Sequence, residues 1–133
     1  MILLDTHVLL WLDRNDLALG NRCRALIQEA WQQDGIGVCA ITFWEVAMLT
    51  ARGRITLGQA PDQWRFDWLN AGLQEMALEG AIALAATELA DFHPDPADRF
   101  IVATALARGA TLITADQAIL SWPGPLKRQA AGE

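Results

Sequence analysis

The chain has few of the residues that define several common kinds of functional site. Its 133 residues include two cysteines, two histidines and a single lysine, Lys127. The cysteines and histidines do not have zinc-type spacing, and so few cysteines favour a reducing compartment over a disulfide framework. The lone lysine argues against a phosphate-accepting aspartate of the receiver kind, because that site needs a lysine beside a late strand.

Long apolar segments and positive charge are also scarce. The N-terminal apolar run is interrupted by Asp5 and His7, so neither export nor membrane insertion is predicted, and we expect a cytoplasmic protein. The formal net charge is −6. Because phosphate binding depends mainly on Lys and Arg, this charge is unfavourable for a protein whose main role is to coat nucleic acid.

The sequence does contain many short apolar segments that alternate in type. Hydrophobic residues make up 53% and charged residues 20%, which is typical of one folded domain. Strand-like runs at 2–4, 36–41, 75–78 and 110–114 alternate with helical patterns. This alternation predicts an α/β fold of three layers, α/β/α, with a mostly parallel central sheet. We expect a single domain over residues 1–133, with about 123–133 as a flexible tail.

Four acids are predicted to lie at the carboxyl ends of these strands, where ligands bind in open parallel sheets. Asp5 follows the first strand, Glu45 lies in the helix after the second, Asp98 opens the helix after HPDP, and Asp116 follows the last strand. Four acids at one edge of a sheet indicate a shared acidic site.

Each acid also has a purely structural interpretation. The sequence TFWE, which ends in Glu45, fits a capping box, and Asp95 and Asp98 suit the first turn of a helix that begins near Pro96. Glu45 and Asp98, however, both begin the core-facing stripe of their helices. A cap has no need to point along a buried face, where desolvation of a charge is costly.

Converging carboxylates require a cation. An all-oxygen donor set favours a hard divalent ion, Mg²⁺ or Mn²⁺, over zinc. Such an ion can activate a water and stabilise the charge of a phosphodiester. Three arginines near the proposed acids are candidates for binding flanking phosphates: Arg52, Arg54 and Arg99.

The ordered motifs LLDTHVLLW, AITFWEVAMLTARGRITL and HPDPADRFIVATALARGATLITAD cover nearly the whole chain. Together they resemble the PIN domain, and within it the VapC-type toxins of bacterial toxin–antitoxin pairs. The resemblance implies a PIN-like fold and a Mg²⁺- or Mn²⁺-dependent endoribonuclease acting on RNA. It also implies a homodimer, and a cognate antitoxin that holds the enzyme inactive.

By the same resemblance, four acids are the catalytic and metal-binding residues: Asp5, Glu45, Asp98 and Asp116. Thr6 and Thr114 are their polar supports. In HPDPADRF we choose Asp98 for the site and interpret Asp95 as a helix cap, with Asp95 as second choice. A supporting role for His7 is left open, and His93 is interpreted as part of the loop structure.

The six tryptophans leave a further alternative open. Trp11, Trp64 and Trp68 suit a dimer face or an antitoxin groove, and equally the core. The alternative function is a non-catalytic binding module, in which a Trp-rich face binds a protein partner and the acids only cap helices. Metal binding distinguishes this module from the nuclease.

Overall fold

The fold is an α/β sandwich of three layers. The structure is a computed structural model that describes residues 1–133. The strands are β1 (Ile2–Leu4), β2 (Ile36–Cys39), β3 (Gln74–Met76), β4 (Thr111–Thr114) and β5 (Arg128–Ala130). The helices are α1 (Thr6–Asp13), α2 (Asn21–Gln32), α3 (Ile41–Ala51), α4 (Pro61–Asn70), α5 (Gly80–Thr87), α6 (Pro96–Arg108) and α7 (Gln117–Leu120).

The five strands form one sheet in the order β3-β2-β1-β4-β5, and every neighbouring pair is parallel. The predicted α/β/α fold with a mostly parallel sheet is therefore confirmed. The strand β1 is central, with β2 and β4 on either side, so whatever follows it emerges in the middle of the carboxyl edge.

The two faces of the sheet are buried under different helices. Successive residues of a strand point to opposite faces. Accordingly, Leu4 packs into a core with α1, α2 and α4, while its neighbour Leu3 packs into another core with α6 and α7. The helix α5 lies farther out and packs on α6 through Ile82 and Ala86. Burial on both faces explains why the strands read as continuous apolar runs.

Most predicted element boundaries lie within a few residues of the observed ones, with one clear difference at the end of the chain. Residues 123–133 were predicted to be a flexible tail, but β5 pairs with β4 and extends the sheet. Leu126 is 6% exposed and Ala131 is fully buried. The prediction was wrong because Pro and Gly in this segment form the turn before a short edge strand, and only tertiary packing stabilises a strand of three residues.

None of the helices is both long enough and apolar enough to cross a membrane.

Candidate functional site

Four acids from four different elements converge on the carboxyl edge of the sheet. Asp5 directly follows the central strand, and Asp116 lies two residues beyond the end of β4. Glu45 comes from α3 and Asp98 from the first turn of α6. Asp5 and Asp116 line one cavity of about 190 Å³. Burial first, and then the charges of Asp5, Asp95, Asp116 and Glu45, raise the pKa of Asp98.

Two threonines hold the buried carboxylate of Asp5. The Thr6 backbone N–H donates to its Oδ1 at 2.8 Å, and the Thr114 hydroxyl donates to its Oδ2 at 2.6 Å. Only 4% of Asp5 is exposed. Each carboxylate oxygen has a second lone pair, so these bonds orient the group without using all of its acceptor capacity.

The same threonines connect Asp5 to the other acids. The Thr6 hydroxyl donates to Oε1 of Glu45 at 2.5 Å and lies 3.0 Å from the hydroxyl of Thr42. The Thr114 oxygen accepts from the backbone N–H of Asp116 at 3.0 Å. Thr6 and Thr114 thus bridge the acids, and these contacts add the fully buried Thr42 to the network.

A histidine lies beside the acids of α6 and α7. Ligating atoms of His93, Asp98 and Asp116 all lie within 4.8 Å of one another. The Nε2 atom of His93 is 3.3 Å from Oδ2 of Asp98. The two carboxylates are thus close enough to bind one ion, since two donors on opposite sides of an octahedral ion are about 4 Å apart.

Burial and mutual repulsion raise the pKa of three of the acids. Desolvation is the largest cause for Asp98, whose pKa is raised to about 8, and repulsion by Asp5 and other acids adds to it. Desolvation also raises the pKa of Asp5 and of Glu45, although their bonds to Thr114 and Thr6 oppose the change. Burial and repulsion therefore oppose full ionisation of these carboxyl groups at neutral pH.

No lysine or arginine pairs with these carboxylates, and His7 lines the cavity of Asp5 and Asp116. Apart from His93 beside Asp98, no nitrogen of a basic side chain lies within 4.0 Å of any of the four carboxylates. An oxygen-rich site with uncompensated negative charge fits a hard divalent cation.

The structural interpretations of the acids are correct for some positions and wrong for others. Asp95 is the cap of α6, since its side chain accepts from the N–H groups of Ala97 and Asp98. Glu45 forms no capping box, because α3 begins at Ile41, before Thr42. The carboxylate of Glu45 accepts from the hydroxyl of Thr6 instead. Asp116 caps α7 and faces the acidic cavity as well.

The structure does not bring the three predicted phosphate-binding arginines into the acidic cluster. Arg52 and Arg54 are exposed beyond the C-terminal end of α3, and the seven residues from Glu45 to Arg52 span about 10 Å along the helix axis. The guanidinium of Arg99 instead donates to the carbonyls of His93, Phe92 and Ala86 at 3.0, 2.7 and 2.9 Å. For Arg99 the prediction does not agree with the structure, because its donors are used to hold a loop.

Two members of the site were missed at the sequence level. Thr42 was interpreted only as a helix cap, and His93 only as part of the loop. The periodicity of a strand or helix gives no information about His93, since it precedes α6 in an irregular segment. The spacing His-x-x-x-x-Asp in HPDPAD was the one available signal.

The tryptophans divide between core and surface grooves. Trp64 is 2% exposed and belongs to the core. Trp11 lines the acidic cavity, and Trp68 lines a separate groove of about 580 Å³ between α2 and α4. Trp44, on α3 next to Glu45, is 56% exposed.

Taken together, the parallel sheet and its acidic edge define an α/β protein with a centre suited to divalent-metal chemistry. A family profile described as "PIN domain" matches residues 2–121. The chain is 32% identical over 125 residues to "Ribonuclease VapC22" of Mycobacterium tuberculosis, covering 93% of each chain. It therefore belongs to the PIN domain family, as its motifs suggested.

Solved structures share the fold at lower identity. A chain of the VapBC2 complex from Rickettsia felis, bound to a promoter DNA fragment, superposes with a TM-score of 0.72 at 16% identity, covering 97% of this chain and 98% of the other. A chain of DNA-bound VapBC from Salmonella typhimurium gives 0.69 at 18% identity, covering 96% of each chain.

Proposed function

We propose that this protein is an endoribonuclease that uses Mg²⁺ or Mn²⁺ and acts in the cytoplasm as the toxin of a toxin–antitoxin pair. The observation that carries the proposal is the convergence, on the carboxyl edge of the sheet, of four carboxylates that pair with no lysine or arginine. The similarity to a relative named as a ribonuclease supports RNA as the substrate.

In this proposal, Asp5, Glu45, Asp98 and Asp116 hold the metal and face the scissile phosphodiester. When bound there, the ion would act as a Lewis acid that lowers the pKa of a water molecule and stabilises the charge that develops on the phosphate. The hydroxyl of Thr114 orients Asp5, and that of Thr6 orients Glu45. Asp98, the acid with the pKa of about 8, must lose its proton to bind the ion, so metal binding and proton release are coupled.

Cleavage of a defined RNA by purified protein with Mg²⁺ or Mn²⁺ tests the enzyme assignment. Asp5→Asn and Asp98→Asn should each lower the rate by at least about a hundredfold, since losing a ligand removes several kcal/mol of electrostatic stabilisation. Asp62→Asn is the matched control, because Asp62 also lies in the first turn of a helix that begins with proline, but is exposed and remote from the site.

Calorimetric titration with Mn²⁺ should show binding to the wild type and to Asp62→Asn, and greatly weakened binding to Asp98→Asn. A wild-type protein that binds no divalent ion, or an Asp98→Asn protein that cleaves RNA at the normal rate, contradicts the proposal. Normal folding and partner capture without any metal effect would instead favour the binding module.

The toxin assignment adds two partners, a cognate antitoxin and a second copy of the chain. The groove lined by Trp31, Trp68 and Ile27 is the apolar surface that we assign to the antitoxin. Exposed Trp44 on α3 and Leu84 on α5 support a homodimer. Expression should arrest growth, and Asp5→Asn should relieve the arrest. Light scattering should give twice the 14.6 kDa chain mass.

A further inference from the structure

His93 is the basic side chain in closest contact with a carboxylate of the site, and nothing in the proposed mechanism uses it. It lies on the segment between α5 and α6, five residues before Asp98. Its Nε2 atom is shielded from solvent and has no well-aligned hydrogen-bond acceptor. Its nearest acidic neighbour is Oδ2 of Asp98, at 3.3 Å. A buried N–H group without an aligned acceptor is costly, so this placement needs an explanation.

The other ring nitrogen of His93 indicates where the proton lies. The backbone N–H of Asp95 points at Nδ1 from 3.4 Å, so Nδ1 acts as the acceptor. In a neutral imidazole one nitrogen accepts and the other carries the hydrogen. The Nε2 atom that faces Asp98 therefore carries an N–H group and offers no lone pair to a metal ion.

The ring is held in place by its neighbours. It stacks on Phe92 with 4.5 Å between ring centroids, and Phe92 packs edge-on against Trp122. The carbonyl of His93 accepts from Nε of Arg99 at 3.0 Å. Because Arg99 directly follows Asp98 on α6, the same turn of helix that presents the carboxylate also fixes the loop that carries the imidazole.

We propose that His93 is a positioning residue of the acidic site, whose Nε2–H group orients the Asp98 carboxylate for metal binding. This inference rests on the proposed function. A hydrogen bond that is misaligned in the free protein commonly tightens once the reacting partner is bound. Carboxylates that bind metals are themselves held by hydrogen bonds, and loss of such a partner typically weakens metal affinity by about 10–100-fold.

Two substitutions at one position separate donation from packing. His93→Phe keeps an aromatic ring to stack on Phe92 but removes the donor, whereas His93→Gln keeps an N–H donor but removes the ring. Mn²⁺ alone is the probe, titrated into the full chain and followed by the electron paramagnetic resonance signal of the free ion. We expect His93→Phe to weaken Mn²⁺ binding by at least about tenfold and His93→Gln to restore most of the loss.

Pulsed electron paramagnetic resonance of the Mn²⁺-loaded wild type gives a second measurement, because it detects nitrogen bound directly to the ion. A positioning role predicts no directly bound imidazole nitrogen. A bound nitrogen that disappears in His93→Phe would overturn the proposal by making His93 a ligand. Unchanged Mn²⁺ affinity in His93→Phe would overturn it as well.

Thermal unfolding with a chelator checks that both variants fold. If it shows that His93→Phe is unfolded, His93→Met, which also lacks an N–H donor, takes its place: weakening of Mn²⁺ binding by at least about tenfold supports donation, and unchanged affinity overturns it. Failure of the wild type to bind Mn²⁺ would count against the proposed function itself. Binding that requires Asp98 but is insensitive to His93 would refute this inference alone.

Discussion

Replacing Asp98 with asparagine should stabilise the metal-free protein. Burial and the neighbouring acids raise the pKa of Asp98 from 3.8 to about 8. Such a carboxyl binds more protons in the folded state than in the unfolded state over this range, so the free energy of unfolding falls as pH rises from 3.8 towards 8. Asparagine is neutral throughout and avoids that loss.

The size of the effect follows from the same pKa. At about 1.4 kcal/mol per pH unit, the raised pKa of Asp98 lowers the free energy of unfolding by about 4 kcal/mol at pH 7. The side chain of Asp98 is still 15% exposed, and solvent screening reduces this to about 2 kcal/mol. For a domain of this size, the melting temperature of Asp98→Asn should then exceed that of the wild type by roughly 6 °C.

Circular dichroism melts in a chelator between pH 5.5 and 8 measure this difference, well above the pI of about 4.8. The difference in melting temperature between Asp98→Asn and the wild type should increase with pH. Saturating Mn²⁺ should reverse the order, since about 100 times the dissociation constant stabilises the wild type by about 2.7 kcal/mol. A variant that melts at or below the wild-type temperature at pH 7, or a gap independent of pH, would refute the reasoning. Asp62→Asn should change neither quantity.

The remaining predictions concern the ligands, the supports and the last strand. Mn²⁺ affinity should rise about tenfold per pH unit until the pH reaches the Asp98 pKa of about 8, because binding displaces one proton; calorimetry across pH measures this, and a flat profile would contradict it. Thr114→Val should destabilise the fold by about 1–3 kcal/mol near pH 7 and weaken metal binding, because it removes a hydrogen-bond donor to buried Asp5. Thr114→Ser should restore the stability, measured by thermal melts, and the metal affinity, measured by titration. Arg128→Met should cost about 1–3 kcal/mol in denaturant unfolding, because its guanidinium donates to three backbone carbonyls; no change would mean that the last strand is dispensable. Asp95→Ala should cost about 1 kcal/mol as a lost cap while RNA cleavage persists, and a loss of cleavage equal to that of Asp98→Asn would place Asp95 in the site.

The sequence predicted much of this fold because local patterns and tertiary packing agree over most of its length. The helix α6 is the clearest case. Proline at its start, Asp95 as cap and Gly109 in the left-handed conformation at its end, with φ of 61°, all appear as local signals. Asp98 was chosen over Asp95 because it directly precedes RFIVATAL, the helical stretch with which the family pattern continues.

What could not be predicted depends on contacts between distant residues. Nothing near Arg99 in the sequence shows that its donors bind carbonyls of the preceding loop. The pairing of Glu45 with Thr6, 39 positions apart, replaced a plausible capping box for the same reason. His93 and the last strand likewise acquire their roles only from the packed fold.

The central place of β1 in the sheet affects when the acidic site can exist. Asp5 precedes both Asp116 and β4, the strand that lies beside β1, by more than a hundred residues. A nascent chain that ends before β4 has neither the neighbouring strand nor the fourth acid. A site that needs all four acids can therefore form only after the ribosome has passed Asp116.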